Sequence, residues 1–200
     1  MAKLVNWFIF EKKIKEKRLF LFNNSDVRRV LGVSQVAAIF LLHRYAKKGL
    51  ISRLKRGIYV FPDTLPPDLY IANKLYEPSY VSLEFALSYH RVIPETVYEI
   101  TSVTTKATRH FSVLGKIYSY RKLKREAFTG YSVIQKQGRT NFAIADPEKA
   151  FVDALYFRVL SGEKPISRFD KRKLNVIRAL KYASIFGNRK LVGVVKRALQ

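Results

Sequence analysis

The sequence predicts an α+β protein: an amino-terminal winged helix-turn-helix, followed by a mixed domain with a small, mainly antiparallel sheet and carboxy-terminal helices. Three observations predict it. The stretch Ser25 to Phe61, SDVRRVLGVSQVAAIFLLHRYAKKGLISRLKRGIYVF, sets two short helical patterns, a glycine turn and a basic two-strand hairpin in that order. The middle of the chain holds β-branched and aromatic segments broken by glycines, and helical patterns close it. With 200 residues, 48% hydrophobic and 14% aromatic, the chain has material for folded cores rather than disorder.

The elements follow in order. Leu4, Phe8 and Ile14 fall mostly on one side of a first amphipathic helix, with Lys12, Lys13, Lys15 and Lys17 elsewhere. Asn24 or Ser25 offers an N-cap to a second helix, where Asp26 suits the positive end of the dipole and Val27, Val30 and Leu31 supply a buried stripe ending at Gly32. Ser34 caps a longer helix to about Lys48, and Gly49 permits a left-handed exit. Strands at 51–54 and 58–61 are joined through Lys55, Arg56 and Gly57. Pro62, Pro66 and Pro67 interrupt regular structure, so the expected organisation is a winged unit at 1–61, a linker at 62–67 and a second domain at 68–200.

In that second domain, 69–75 and 83–89 read as helices, the latter starting near Ser79 or Ser82. Strand patterns run over 97–105, 109–114, 116–123, 131–137 and 140–145, with breaks at Gly115, Gly130 and Gly138. Asp146 as cap and Pro147 as first residue open a helix to about Leu160, and two basic helices follow near 172–184 and 189–198.

Charge points to a partner. The net formal charge is +23, divided as +11 over residues 1–61, +3 over 62–165 and +9 over 166–200. The two basic ends lack the matching acids that surface ion-pair networks need, and a polyanion that releases counterions is the commonest reason for such an excess. An anionic membrane surface is the competitor, but the longest apolar run near those ends, Val36 to Leu42, is far too short to span. The start carries one lysine and a short apolar patch, but Glu11 follows at once without a small-residue cleavage site, so no signal peptide is expected. The absence of cysteine excludes disulfides and thiolate sites and fits a reducing cytoplasm.

Within the helix opened by Ser34, the residues Ala38, Leu41, Leu42 and Tyr45 sit at core spacing and leave Gln35, Ile39 and His43 as candidates for the DNA groove, with Ser34 at the helix start as a further DNA-contact candidate. Gln35 suits a bidentate contact to adenine, and Ile39 suits a thymine methyl group. Val36 and Phe40 make this outer face unusually apolar, so packing by another protomer is the alternative. Arg28, Arg29, Arg44, Lys47, Lys48, Arg53, Lys55 and Arg56 read as phosphate contacts, with a solvated charged face as the other reading for each. Arg56, next to Gly57, is the strongest single candidate because a wing tip reaches backbone that a helix cannot.

Catalysis is not expected. His43, His90 and His110 lack ligand spacing, so neither metal nor cofactor is implied. Asp146, Glu148 and Asp153 have no paired nucleophile or base; Asp146 reads as a cap, and Asp153 lies on a helix whose Phe151, Ala154 and Leu155 pack inward. GxxxxGK[ST] and GxSxG motifs are absent. A nucleic-acid-processing enzyme and a sequence-indifferent architectural binder are the rival classes.

Four phrases carry a family resemblance: Tyr80, Ser82, Leu83, Glu84, Ala86 and Leu87; then Ile100 to Thr105; then Tyr118 and Tyr120; then Ala145, Pro147, Glu148, Lys149 and Ala150. With the basic winged unit before them, they make the chain resemble the AbiEi-type antitoxin and transcriptional regulator family of type IV toxin-antitoxin systems. The resemblance implies an amino-terminal winged helix that binds repeats in its own promoter, and the expectation drawn with it is an autorepressor on double-stranded operator DNA, two copies forming a homodimer on an inverted repeat. It also implies a second domain that opposes a nucleotidyltransferase-like toxin without an assumed complex. The phrases themselves read mainly as packing, with Ser82 as a cap and Leu83, Ala86 and Leu87 as a buried face. A stand-alone winged-helix regulator has the same sequence features.

Overall fold

The computed structural model describes residues 5–135 and 140–200 and divides into two compact units, 1–75 and 76–200. In the first unit the order is α1 (Trp7–Glu16), β1 (Leu21–Phe22), α2 (Asn24–Leu31), α3 (Gln35–Lys47), β2 (Ser52–Lys55), β3 (Ile58–Val60) and α4 (Asp68–Leu75). The strands form one antiparallel sheet in the order β1-β3-β2, so three helices and a hairpin wing stand as expected. Its core is aromatic: Phe10, Phe22, Tyr45 and Phe61 are buried, with Trp7 packed against them. The Phe10 ring lies 4.9 Å from Tyr45 and 6.0 Å from Phe22.

Several local expectations change. The buried stripe of α1 is Phe10 and Ile14, whereas Phe8 is exposed and Leu4 lies outside the described residues. Residues 10 and 14 are one turn apart, and a turn of about 100° per residue carries position 8 away from them. The N-cap of α2 is Asn23, not Asn24 or Ser25. Its side chain accepts from Asp26 N at 3.0 Å while Asp26 accepts from Asn23 N at 3.0 Å, a reciprocal capping box. Strand β1 leaves no mark in the sequence pattern because two residues carry no periodicity. The helix at 68–75 groups with the first unit, and its Tyr70 ring meets Phe20 at 6.4 Å.

The second unit holds β4 (Ser79–Val81), α5 (Leu83–Tyr89), β5 (Ile100–Thr104), β6 (Arg109–Val113), β7 (Lys116–Lys122), β8 (Tyr131–Ile134), β9 (Phe142–Ala145), α6 (Pro147–Ser161), α7 (Val176–Ile185) and α8 (Arg189–Leu199). The sheet order is β6-β7-β5-β4-β9-β8. It is mixed rather than simply antiparallel: β5 runs parallel to β7 and β4 parallel to β9, while the other three pairs are antiparallel. Ser79 does not start a helix; it opens β4, a buried central strand of three residues. Being buried throughout, β4 shows no alternation to distinguish it from the helix that follows. Lys136 and Gln137, expected to end a strand, and Gly138, expected to break it, lie outside the described residues. Helix α6 packs against α5, α7 and α8 and forms the centre of this unit.

Candidate nucleic-acid interface

The helix-turn-helix is built by its caps. Gly32 closes α2 at φ +66°, a left-handed exit that costs a glycine little, and the chain turns to Ser34, whose Oγ accepts from Ala37 N at 3.2 Å to start α3. Ala38, Leu41, Leu42 and Tyr45 of α3 are buried, as their spacing requires. Tyr45 fixes the depth of the helix: its hydroxyl donates to Val5 O at 3.0 Å and its ring meets Trp7 at 5.0 Å. The opposite arc is open, and Gln35, Ile39, His43, Lys47 and Lys48 are all exposed.

The wing supplies the second half. In the β2–β3 hairpin Arg53 pairs with Tyr59 and Lys55 with Ile58, with a bulge between, and Arg56 stands exposed at the tip. Arg53 is exposed and donates through Nε to Lys55 O at 3.4 Å, while Lys55 itself is half-buried. Arg28 and Arg29 are exposed at the end of α2. Every residue expected from the sequence to meet DNA therefore lies in this unit, and the cations other than Lys55 are exposed.

They differ in what already holds them. Arg29 donates to Asp26 at 2.7 Å. Arg44 donates to Val5 O at 3.3 Å and to the Tyr45 hydroxyl at 3.2 Å, and its guanidinium lies 5.0 Å from the Tyr45 ring centre, so part of its work is to fasten α3 to the segment that leads into α1. Ser34 is occupied as a cap. Arg28, Lys47, Lys48 and Arg56 have no acidic partner among the described residues. Elsewhere in the unit Lys15 bridges Glu11 and Asp63, each at 2.7 Å. Hydrogen bonding to Asp63 and Glu11 holds the Lys15 ammonium above its ordinary range, and the bond from Lys15 holds the Asp63 carboxyl below its own. Glu11, Asp26 and Asp63 are thus answered within the unit while Arg28, Lys47, Lys48 and Arg56 are left over, a charge pattern suited to a surface for phosphates.

A cation-fringed helix with an open face, in one unit with a basic hairpin, has the arrangement of a winged helix. Residues 13–62 match the family model described as "Transcriptional regulator, AbiEi antitoxin", which bears out the resemblance over that segment and supports a DNA-binding regulator role. No curated protein matches the chain. Among the described residues no helix is long and apolar enough to cross a membrane, and no group of three or more His, Cys, Asp or Glu side chains is arranged to hold a metal ion.

The second unit contains a polar cluster that sequence reasoning missed. Asp153 is fully buried and accepts from Ser82 Oγ at 2.8 Å, from the Tyr80 hydroxyl at 3.1 Å and from Lys149 Nζ. Lys149 is also buried, with its ammonium 5.0 Å from the Phe186 ring centre. Burial pushes the Lys149 pKa down and the Asp153 pKa up against the attraction between them, and it raises the Tyr80 phenol strongly. Ser82 stands at the N-cap position of α5 but makes no capping bond: its hydroxyl donates to Asp153, and the Phe85 N–H that a cap would meet donates to Thr101 Oγ1 at 3.2 Å instead. Asp146 likewise makes no capping bond to α6; it accepts from Arg178 at 2.5 Å and from the Tyr182 hydroxyl at 3.0 Å. The i, i+4 spacing of Lys149 and Asp153 is a visible signal of pairing, but their partners Tyr80 and Ser82 lie far away in sequence.

Proposed function

We propose that the chain is a transcriptional autorepressor and antitoxin of a type IV toxin-antitoxin system, acting in the cytoplasm by binding and not by catalysis. Two copies bind an inverted repeat in the operator, each laying α3 in a major groove and the Arg56 wing tip on the adjoining backbone. The second unit counteracts a nucleotidyltransferase-like toxin, and no direct contact with that toxin is required. The observation that carries the reading is the set of exposed cations without acidic partners, Arg28, Lys47, Lys48 and Arg56, on the elements that match the regulator family. The enclosure of Asp153 among Lys149, Tyr80 and Ser82 supports a structural rather than a chemical use of that carboxylate.

A gel-shift titration of the full chain on the DNA just upstream of its gene tests the first part. Tighter binding there than to an unrelated duplex, weakened by joint replacement of Lys55 and Arg56 with alanine, is the expected result. Equal binding to both duplexes contradicts it. Rescue of cells expressing a neighbouring nucleotidyltransferase-like protein tests the second part. Because the family match ends at residue 62, a stand-alone winged-helix regulator is the second reading, and operator binding without rescue selects it.

A further inference from the structure

The open face of α3 is more apolar than phosphate binding requires. Val36, Ile39 and Phe40 are 62%, 50% and 68% exposed, and they are interleaved with exposed Gln35 and His43. At about 100° per residue these five positions fall within one arc of the helix, opposite the buried Ala38, Leu41, Leu42 and Tyr45. Three large apolar side chains held in water favour a cover, and the charge around them discriminates between covers. Residues 1–61 carry +11, and Lys47, Lys48, Arg28 and Arg56 on the same helices and wing have no acidic partner among the described residues. A second copy would bring like charge against this face, whereas duplex DNA brings the opposite charge. In its major groove, DNA presents one apolar group, the 5-methyl of thymine.

We propose that α3 reads DNA chiefly through thymine methyl groups packed on Val36, Ile39 and Phe40, with Gln35 adding a contact to adenine. The preferred sites are therefore T·A pairs beneath α3, flanked by phosphate contacts from the cations. This inference rests on the DNA-binding reading above. It assigns base selection to the apolar arc and affinity common to all sequences to the cations, so the two contributions separate by salt: methyl packing releases no counterions.

The test uses the full chain and two versions of the duplex upstream of its gene, one natural and one with every thymine replaced by uracil, which removes the methyl and keeps charge and pairing. Burial of two or three methyl groups predicts binding about 10- to 50-fold weaker for the uracil duplex, with the dependence on salt unchanged. In a variant carrying Val36→Ser and Ile39→Ser, both exposed and so tolerable to the fold, the ratio between the two duplexes falls toward one. Equal binding of both duplexes by the unaltered chain overturns the inference while leaving DNA binding intact. Binding to neither duplex overturns both readings. If the duplexes bind equally and a concentration-dependent dimer is abolished by Phe40→Ser, the apolar arc belongs to a second copy instead.

Discussion

Helices α3 and α6 are of similar length and solve opposite problems. In α3 the buried residues are Ala38, Leu41, Leu42 and Tyr45, all on one arc, and the charges point outward. In α6 every residue from Glu148 to Phe157 is buried, and the ionic groups Lys149 and Asp153 face each other inside. The contrast teaches that a charge in this molecule is read from what answers it. Outward cations can stay in water without acids and remain open to a partner, whereas inward ones are paired because an isolated buried charge would cost several kcal/mol.

The sharpest way to break that contrast is to remove one member of the inner pair. Asp153→Ala leaves the Lys149 ammonium enclosed and unpartnered, and should lower unfolding free energy by about 3–5 kcal/mol in a denaturant titration. The joint replacement Lys149→Met with Asp153→Leu should recover only part of that loss: it removes the unpaired charge, but it leaves the buried Tyr80 and Ser82 hydroxyls without the acceptor they donate to. A loss below about 1 kcal/mol for Asp153→Ala would mean that water reaches the pair.

Much of α3 is legible in the sequence. Its core positions, its Ser34 cap and its Gly49 exit follow from local rules, because an amphipathic helix writes its burial into its spacing. The wing is legible for a different reason, the turn glycine Gly57 beside Arg56, which holds φ +82° between the paired strands. The buried cluster is not, since Tyr80 and Ser82 meet Asp153 only through the parallel pairing of β4 with β9 ahead of α6. Local spacing likewise assigns Ser82 and Asp146 to capping, while tertiary partners claim both side chains. The parallel strand pairs are hidden because strand composition does not record direction.

A smaller effect is expected at the helix-turn-helix entrance. Asn23→Ala removes half of the capping box and should cost about 1 kcal/mol of stability, with DNA affinity falling no further than that loss explains. A much larger drop in affinity would make the cap part of the interface. The smallest effect lies at Asp63. Its folded pKa is depressed by Lys15, so its contribution is present above the ordinary carboxylate value near 4 and is lost as pH falls through the lower, folded value. As both side chains are well exposed to solvent, Asp63→Ala should change stability by no more than about 0.5 kcal/mol at neutral pH and flatten the acid limb slightly.

The slope of log affinity for the upstream duplex against log salt concentration puts the outward cations to the most direct test. Unaltered protein should show a steep negative slope, and replacing Arg28, Lys47, Lys48 and Arg56 together with glutamine should make it shallower by about 3 to 4, near 0.9 for each phosphate no longer neutralised. Slopes that coincide for the two proteins would contradict the assignment of these side chains to the DNA backbone.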